Sequence, residues 1–201
     1  MNLSYSTHQN QIGKRRQRGL TLIELGIVIA VIGIIAVLAL RGTSVLGKSK
    51  GLTEGQNVLD TVTATQNCFR STSDFTALGA TATTGTAYVV ANCGREAVNP
   101  PATAAAGVIT NQFGGTRTIA RASINGGTNN AITVVDTQLS TEVCREVVQG
   151  QWDNFTSITI TPNGGAAVSA KAALTDAYTP AATAACATAD TATLTLVAAK
   201  N

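Results

Sequence analysis

The hydrophobic positions change period twice along the chain. From Leu20 to Leu40 (LTLIELGIVIAVIGIIAVLAL) nearly every residue is apolar, and the single charge is Glu24. As a helix these 21 residues span about 31 Å, the thickness of a bilayer core. Beyond Arg41, apolar residues recur every three to four positions: Val45, Leu46, Leu52, Val58, Leu59, Val62 and Phe69. That is the stripe of an amphipathic helix. The two patterns join into one predicted helix from about Leu20 to about Phe69, apolar all round in its first half and amphipathic in its second. After Ser71 the period shortens to two. Thr86–Ala91, Arg117–Ile124, Ala131–Asp136, Phe155–Thr161 and Ala192–Ala198 alternate or are β-branched, and are predicted strands. Asn125-Gly126-Gly127 and Asn163-Gly164-Gly165 supply turn chemistry. Ser140–Trp152 reads as a short helix, with Ser140 or Thr141 as its cap and Glu142 in its first turn. Val143, Val147 and Val148 form its buried face beside Cys144. Pro100–Gly107 and Pro180–Asp190 are Ala/Thr-rich loops. The predicted class is α+β, a long N-terminal helix packed on an antiparallel sheet.

Glycines interrupt the helix at Gly26, Gly33, Gly42, Gly47, Gly51 and Gly55. Each costs up to about 1 kcal/mol in a helix interior. Gly47, Gly51 and Gly55 are four apart, so they form a smooth stripe along which another backbone can approach. The competing reading is that the six only loosen the helix.

Charge divides the chain at the start of the apolar run. The net charge is +3, from fourteen basic and eleven acidic residues in 201. Lys14, Arg15, Arg16 and Arg18 precede Leu20 and no acid does. Removing those four leaves ten basic against eleven acidic residues, a charge of −1. A basic flank before an apolar run stays cytoplasmic, so the remainder is predicted to face the periplasm or the exterior. Cys68, Cys93, Cys144 and Cys186 all follow the run, and an even count in an exported domain points to disulfides. Three pairings are open. Sequential pairing, Cys68–Cys93 and Cys144–Cys186, closes loops of 25 and 42 positions, worth roughly 3–4 kcal/mol each by chain entropy. No CxxC pair exists and the single histidine is His8, so no metal site is expected.

Glu24 decides between readings of the apolar run. A secretory signal peptide, cut after Val37-Leu38-Ala39, has a shorter core and no internal charge. A plain membrane anchor explains the length and the flank but not a carboxylate, which costs a few kcal/mol in lipid. Gly19-Leu20-Thr21-Leu22-Ile23-Glu24 resembles the prepilin-peptidase site of type IV pilins: a glycine, a hydrophobic residue, three more residues, then glutamate. The resemblance implies cleavage after Gly19, N-methylation of Leu20, and pairing of the new amine with Glu24 of a neighbouring subunit. Each charge is costly alone in lipid, so the pair rewards correct axial register. Gly33 also fits, because the family commonly carries a glycine there, whereas the proline often found near Arg41 is absent. The 19-residue leader and the Leu start resemble the type IVb branch. So does the late pair Cys144/Cys186, which resembles the disulfide bounding that branch's C-terminal D-region. Ala131 to Ile160 looks like the PilS-type pilins of thin and conjugative pili.

The resemblance sets expectations for organisation and partners. Residues 1–19 are a removed leader, 20–70 the pilin helix with a transmembrane part at 20–40, and 71–201 a globular head with a D-region at about 144–186. The expected role is the structural subunit of a type IVb pilus, serving conjugation, adhesion or surface attachment. It begins in the inner membrane, leader cytoplasmic and head periplasmic, and ends in an extracellular filament. Expected partners are identical subunits, the prepilin peptidase, an inner-membrane assembly platform and its ATPase, and the bilayer before assembly. A pseudopilin of a type II secretion system is the alternative within this class. A membrane-anchored periplasmic binding module is the alternative outside it.

Other chemistry is not supported. Gly42-Thr43-Ser44-Val45-Leu46-Gly47-Lys48-Ser49 fits a phosphate-binding loop letter for letter, and Ile132–Asp136 resembles a magnesium-binding strand end. Such a loop needs a strand ending at Gly42 and a helix starting at Lys48, within parallel βαβ units. The preceding run is far longer than a strand, and the rest reads as antiparallel. No histidine follows the leader, and no nucleophile elbow or paired-carboxylate motif appears, so no catalytic residue and no cofactor are expected. Asp74, Glu96, Asp153 and Asp176 read as solvated loop acids. Arg117 and Arg121 share a strand face, but a charge of −1 gives little drive for nucleic acid, and no specific nucleic acid partner is expected.

Overall fold

The 3.6-residue period before Ser71 and the two-residue alternation after Thr116 become a helix and a sheet in the computed structural model, which describes residues 22–93 and 108–200. Helix α1 runs Leu22–Cys68. The chain divides into two units, Met1–Arg41 and Gly42–Asn201. The second contains the later part of α1, helices α2 (Ala82–Asn92) and α3 (Thr141–Gly150), and the whole sheet.

The sheet has six strands: β1 (Ile109–Thr110), β2 (Thr116–Ala122), β3 (Ala131–Ser140), β4 (Ser157–Pro162), β5 (Val168–Lys171) and β6 (Thr191–Ala199). They lie in the order β1-β2-β3-β6-β4-β5, with every neighbour antiparallel. Alternation assigns the faces. Ile119, Ile132, Val134, Ile158, Ile160, Leu194 and Leu196 are buried on one side. In register with one another on the other side stand Thr118, Val135, Thr195 and Thr159. The Asn-Gly turns fall where expected, with positive φ at Asn125, Gly126 and Gly164.

The predicted strand at Thr86–Ala91 is instead part of α2. Its β-branched residues favour a strand, but a capping box overrides them. Thr81 Oγ1 accepts from Thr84 N at 3.2 Å, and Thr84 Oγ1 accepts from Thr81 N at 3.3 Å, which satisfies two donors at the helix start. The helix then covers β2, where β1 is too short to pair. Thr86 Oγ1 accepts from Ile119 N at 2.8 Å, and a Cβ on Gly85 would meet Ile119 O at 2.2 Å. Two further differences are short. Pro180–Ala187 lies in a 3-10 helix rather than a loop, and strands β1 and β5 lacked enough alternating residues to be predicted. The loop predicted at 100–107 lies outside the described residues.

Candidate assembly surfaces

The two parts of α1 present different chemistry. In the first, Ile23, Leu25, Ile27, Val28, Ile29, Val31, Ile32 and Ile35 are all exposed, between 47% and 74%. At 3.6 residues per turn those positions cover about two thirds of the circumference, and the remaining face carries the small residues Gly26, Ala30 and Gly33, also exposed. A Cβ added at Gly26 or Gly33 would touch nothing within 4 Å. Gly42 lies in the same helix. Gly19 and Leu20 fall outside the described residues, as does the side chain of Glu24. No helix among the described residues is long and apolar enough to cross a membrane.

From Gly47 onward the helix is packed, and its glycine stripe meets α3. An added Cβ would lie 3.2 Å from Glu142 Cβ at Gly47, 2.5 Å from Glu146 Cβ at Gly51, and 3.0 Å from Gln151 Nε2 at Gly55. Successive glycines therefore accommodate successive turns of α3. The face that follows is small and polar as often as apolar: Gly51, Glu54, Gly55, Val58, Thr61, Val62 and Thr65 are buried, whereas Leu52 is 53% exposed. The buried hydroxyls bond back to the helix, Thr61 Oγ1 to Asn57 O at 2.8 Å and Thr65 Oγ1 to Thr61 O at 2.7 Å.

Glu54 is the residue that sequence reasoning missed. It is wholly buried with Arg117 of β2 and Asp136 of β3. Arg117 pairs with Glu54, and its Nη2 lies 3.1 Å from Asp136 Oδ2. Gln112 Nε2 donates to Glu54 Oε2 at 2.8 Å and Asn111 Nδ2 to Asp136 Oδ1 at 2.6 Å. Arg117 Nη1 lies 3.4 Å from Thr61 Oγ1. Two carboxylates share one guanidinium. Burial pushes the Glu54 carboxyl up to about 7; Arg117 opposes the shift and Asp136 adds to it. Parity held the signal. Glu54 lies four residues before Val58, and Arg117 and Asp136 alternate with Ile119 and Val134 on the inward side of their strands. The network therefore ties the helix to two strands of the sheet.

The head is closed by two disulfides. Cys68–Cys93 joins the ends of α1 and α2, with a Cα–Cα distance of 5.2 Å, and Cys144–Cys186 joins α3 to the 3-10 helix, at 5.8 Å. Lys200 Nζ donates to Phe69 O at 2.7 Å and so places a cation at the C-terminal end of α1, where the helix dipole favours one. Lys171, also buried, donates to Trp152 O at 2.5 Å; burial lowers its pKa.

The remaining sequence candidates resolve into structure. Residues 42–49 are helical, so the phosphate-loop match has neither its strand nor its turn. Arg117 is buried in the ionic network, and Arg121 Nη1 donates to Thr76 O at 2.5 Å, so the pair forms no basic patch. Asp74 accepts from Thr76 N, and Asp176 from Ala172 N and Ala173 N; these bonds lower both carboxyl pKa values. Asp153 is exposed, and Glu96 is outside the described residues. Among the described residues no cluster of His, Cys, Asp or Glu is arranged to hold a metal.

Known families match both parts. The family described as PilS N terminal matches residues 48–199, and the prokaryotic N-terminal methylation motif matches residues 14–40. No curated protein matches. Among solved structures, TcpA, a type IV pilin from Vibrio cholerae El Tor biotype, superposes with a TM-score of 0.50 at 17% identity. That likeness covers 73% of this chain and 98% of the other, and it is one of fold.

Proposed function

Since the chain belongs to the PilS family and is a type IV pilin precursor, a structural subunit and not an enzyme, we propose that it is cut after Gly19, N-methylated at Leu20 and polymerised into a type IVb pilus. The observation that carries this reading is the start of α1, where every described side chain is apolar and exposed. Such a surface needs lipid or other subunits. The Leu20–Leu40 run holds the precursor in the inner membrane, and polymerisation exchanges lipid for neighbouring helices. Within the filament, the methylated amine of Leu20 pairs with Glu24 of an adjacent copy and sets the axial register. The head, held by the Glu54 network and two disulfides, is carried out with its own helix segment already packed. Processing requires the prepilin peptidase, and extrusion an assembly platform and its ATPase. The filament serves conjugation, adhesion or surface attachment.

Mass spectrometry of the N-terminus tests the processing step. N-methyl-Leu20 is expected. A chain starting at Leu40 would make the run a signal peptide, and an intact Met1 in surface material would make it an uncleaved anchor; either result overturns the proposal. Electron microscopy of sheared cells then tests polymerisation, with long filaments containing this chain as the expected result.

A further inference from the structure

The tripeptide Asn-Gly-Gly occurs at residues 125–127, between β2 and β3, and again at residues 163–165, between β4 and β5. Asparagine before glycine is an especially labile side-chain amide, because glycine has no Cβ to keep its backbone nitrogen away from the asparagine Cγ. Among the described residues the other asparagines are protected. Asn57 and Asn67 lie inside α1, and Asn92, Asn111, Asn129, Asn130 and Asn154 donate their side-chain amides to hydrogen bonds. Asn125 and Asn163 are exposed. Neither their amides nor the backbone nitrogens of Gly126 and Gly164 have a hydrogen-bond partner among the described residues. The tripeptide is the same at both places, and only the surroundings differ.

The first turn is clamped. Asn130 Oδ1 accepts from Ile124 N at 2.9 Å and Asn130 Nδ2 donates to Ile124 O at 3.1 Å, so the residue before Asn125 is held at both its backbone groups. Ser123 Oγ accepts from Asn129 N at 3.0 Å, and Gly127 N donates to Ile124 O at 2.9 Å. An added Cβ at Gly127 would lie 2.2 Å from Asn130 Nδ2, so the turn closes directly over that amide. The second turn has backbone ties alone, from Asn163 N to Thr191 O at 2.9 Å and from Gly165 N to Pro162 O at 2.9 Å. Every residue from 163 to 169 is exposed, and no side chain bonds any of them. Attack on the amide requires the Asn–Gly peptide to rotate about the asparagine backbone. An unclamped turn opens for that rotation at a lower free energy.

We propose that Asn163 is a site of spontaneous deamidation in the folded head, and that the same tripeptide at Asn125 is kept intact by its clamp. The deprotonated Gly164 nitrogen attacks Asn163 Cγ, a new N–C bond closes a cyclic imide, and the side-chain nitrogen leaves as ammonia. Water then opens the imide at either carbonyl, giving aspartate or isoaspartate. The sum is amide plus water to carboxylic acid plus ammonia, with no change of oxidation state. The isoaspartyl product lengthens the turn by one backbone carbon. Either product places a carboxylate by Thr191, to which Asn163 N is bonded and which Asp190 precedes. The start of β6 therefore gains negative charge as the protein ages. In the proposed role this change builds up on the exported head, and that clause alone rests on the role.

Peptide mass spectrometry of the full chain, held in detergent micelles at mildly alkaline pH, tests this with no need for filaments. Asn163 should gain about 1 Da, with isoaspartate among the products. It should do so at least about tenfold faster than Asn125, a barrier difference of about 1.4 kcal/mol. The rate should rise with pH, because the attacking nitrogen must lose its proton. In guanidinium chloride with the disulfides reduced, the two sites should react equally fast. Asn130→Ala should speed the reaction at Asn125 and leave that at Asn163 unchanged, with a melting temperature taken alongside to show that the head is folded. Equal or inverted rates in the folded wild-type chain would overturn the proposal, as would an Asn163 that stays intact there while it reacts in denaturant. An Asn125 that stays slow in folded Asn130→Ala would overturn the clamp.

Discussion

The two halves of α1 reverse the usual relation between hydrophobicity and burial. Residues 22–41 are nearly all apolar, and the described ones stand exposed. Residues 47–68 are mixed, and they are the ones packed, through glycines, threonines and a buried glutamate. What a segment buries depends on which partner it has. The second segment meets α3 and the sheet inside its own chain, so contact geometry selects small residues and a satisfied ion network. The first is left for a partner that the chain does not contain. General hydrophobicity serves such a partner well, because lipid and neighbouring helices are both apolar and the segment has to suit each in turn.

The contrast can be broken most severely at Glu24. Glu24→Ala should abolish filaments in sheared fractions while the prepilin level in the membrane is unchanged; normal filament yield would remove the pairing argument. The head should be unaffected, because its own buried ion network is built on Glu54, Arg117 and Asp136.

The matching change in the second segment is Arg117→Met, which strands two buried carboxylates. Breaking a buried network from one side costs roughly 3–5 kcal/mol, to be read from urea unfolding of the full chain in detergent. Replacing Glu54, Arg117 and Asp136 together by Leu, Met and Leu should recover much of that loss. If Arg117→Met left the midpoint in place, the network would not be what fixes the helix to the sheet.

Glycines sharpen the comparison on a finer scale. Gly51→Ala puts a Cβ 2.5 Å from Glu146 Cβ and 3.4 Å from Val143 Cα. Overpacking should destabilise the head by about 1–3 kcal/mol, even after the gain in helix propensity. Gly33→Ala meets no atom within 4 Å, so the head's unfolding midpoint should not move, and any effect should fall on assembly.

The smallest expected effect is a pH dependence. The Glu54 pKa is raised from 4.5 to about 7 by burial, so the folded head holds that proton more tightly than the unfolded chain does. Its stabilising contribution is complete below pH 4.5 and is lost as pH rises through about 7. The groups facing it are Arg117, Asp136 and Gln112. The melting temperature should therefore fall between pH 5 and pH 8, and Glu54→Gln should flatten that slope. Equal slopes in the two proteins would place the titration elsewhere.

Most elements were legible where periodicity was long. Helix α1 and strands β2, β3, β4 and β6 follow from it, as does α3, whose predicted valines are the buried ones. Reading failed where local preference and tertiary contact disagreed. Thr86, Tyr88, Val89 and Val90 favour a strand, but the Thr81–Thr84 box and the uncovered flank of β2 make them helical. Leu52 and Leu59 belong to the apolar stripe, yet the buried face is rotated toward Gly51, Glu54 and Gly55, because α3 approaches along the glycines. A carboxylate such as Glu54 reads as solvent-facing until its guanidinium is known, and Arg117 is 63 residues away.

By itself the sequence determined the long helix, its division into an apolar and an amphipathic half, the antiparallel sheet, and the peptidase-like Gly19–Glu24 pattern. These depend on residue order over a few turns, where spacing alone carries the physics. Tertiary structure decided which face of the second half is buried and how two buried acids share one base. Each of those joins groups far apart in the chain, and burial energies depend on distances that spacing along the chain does not contain.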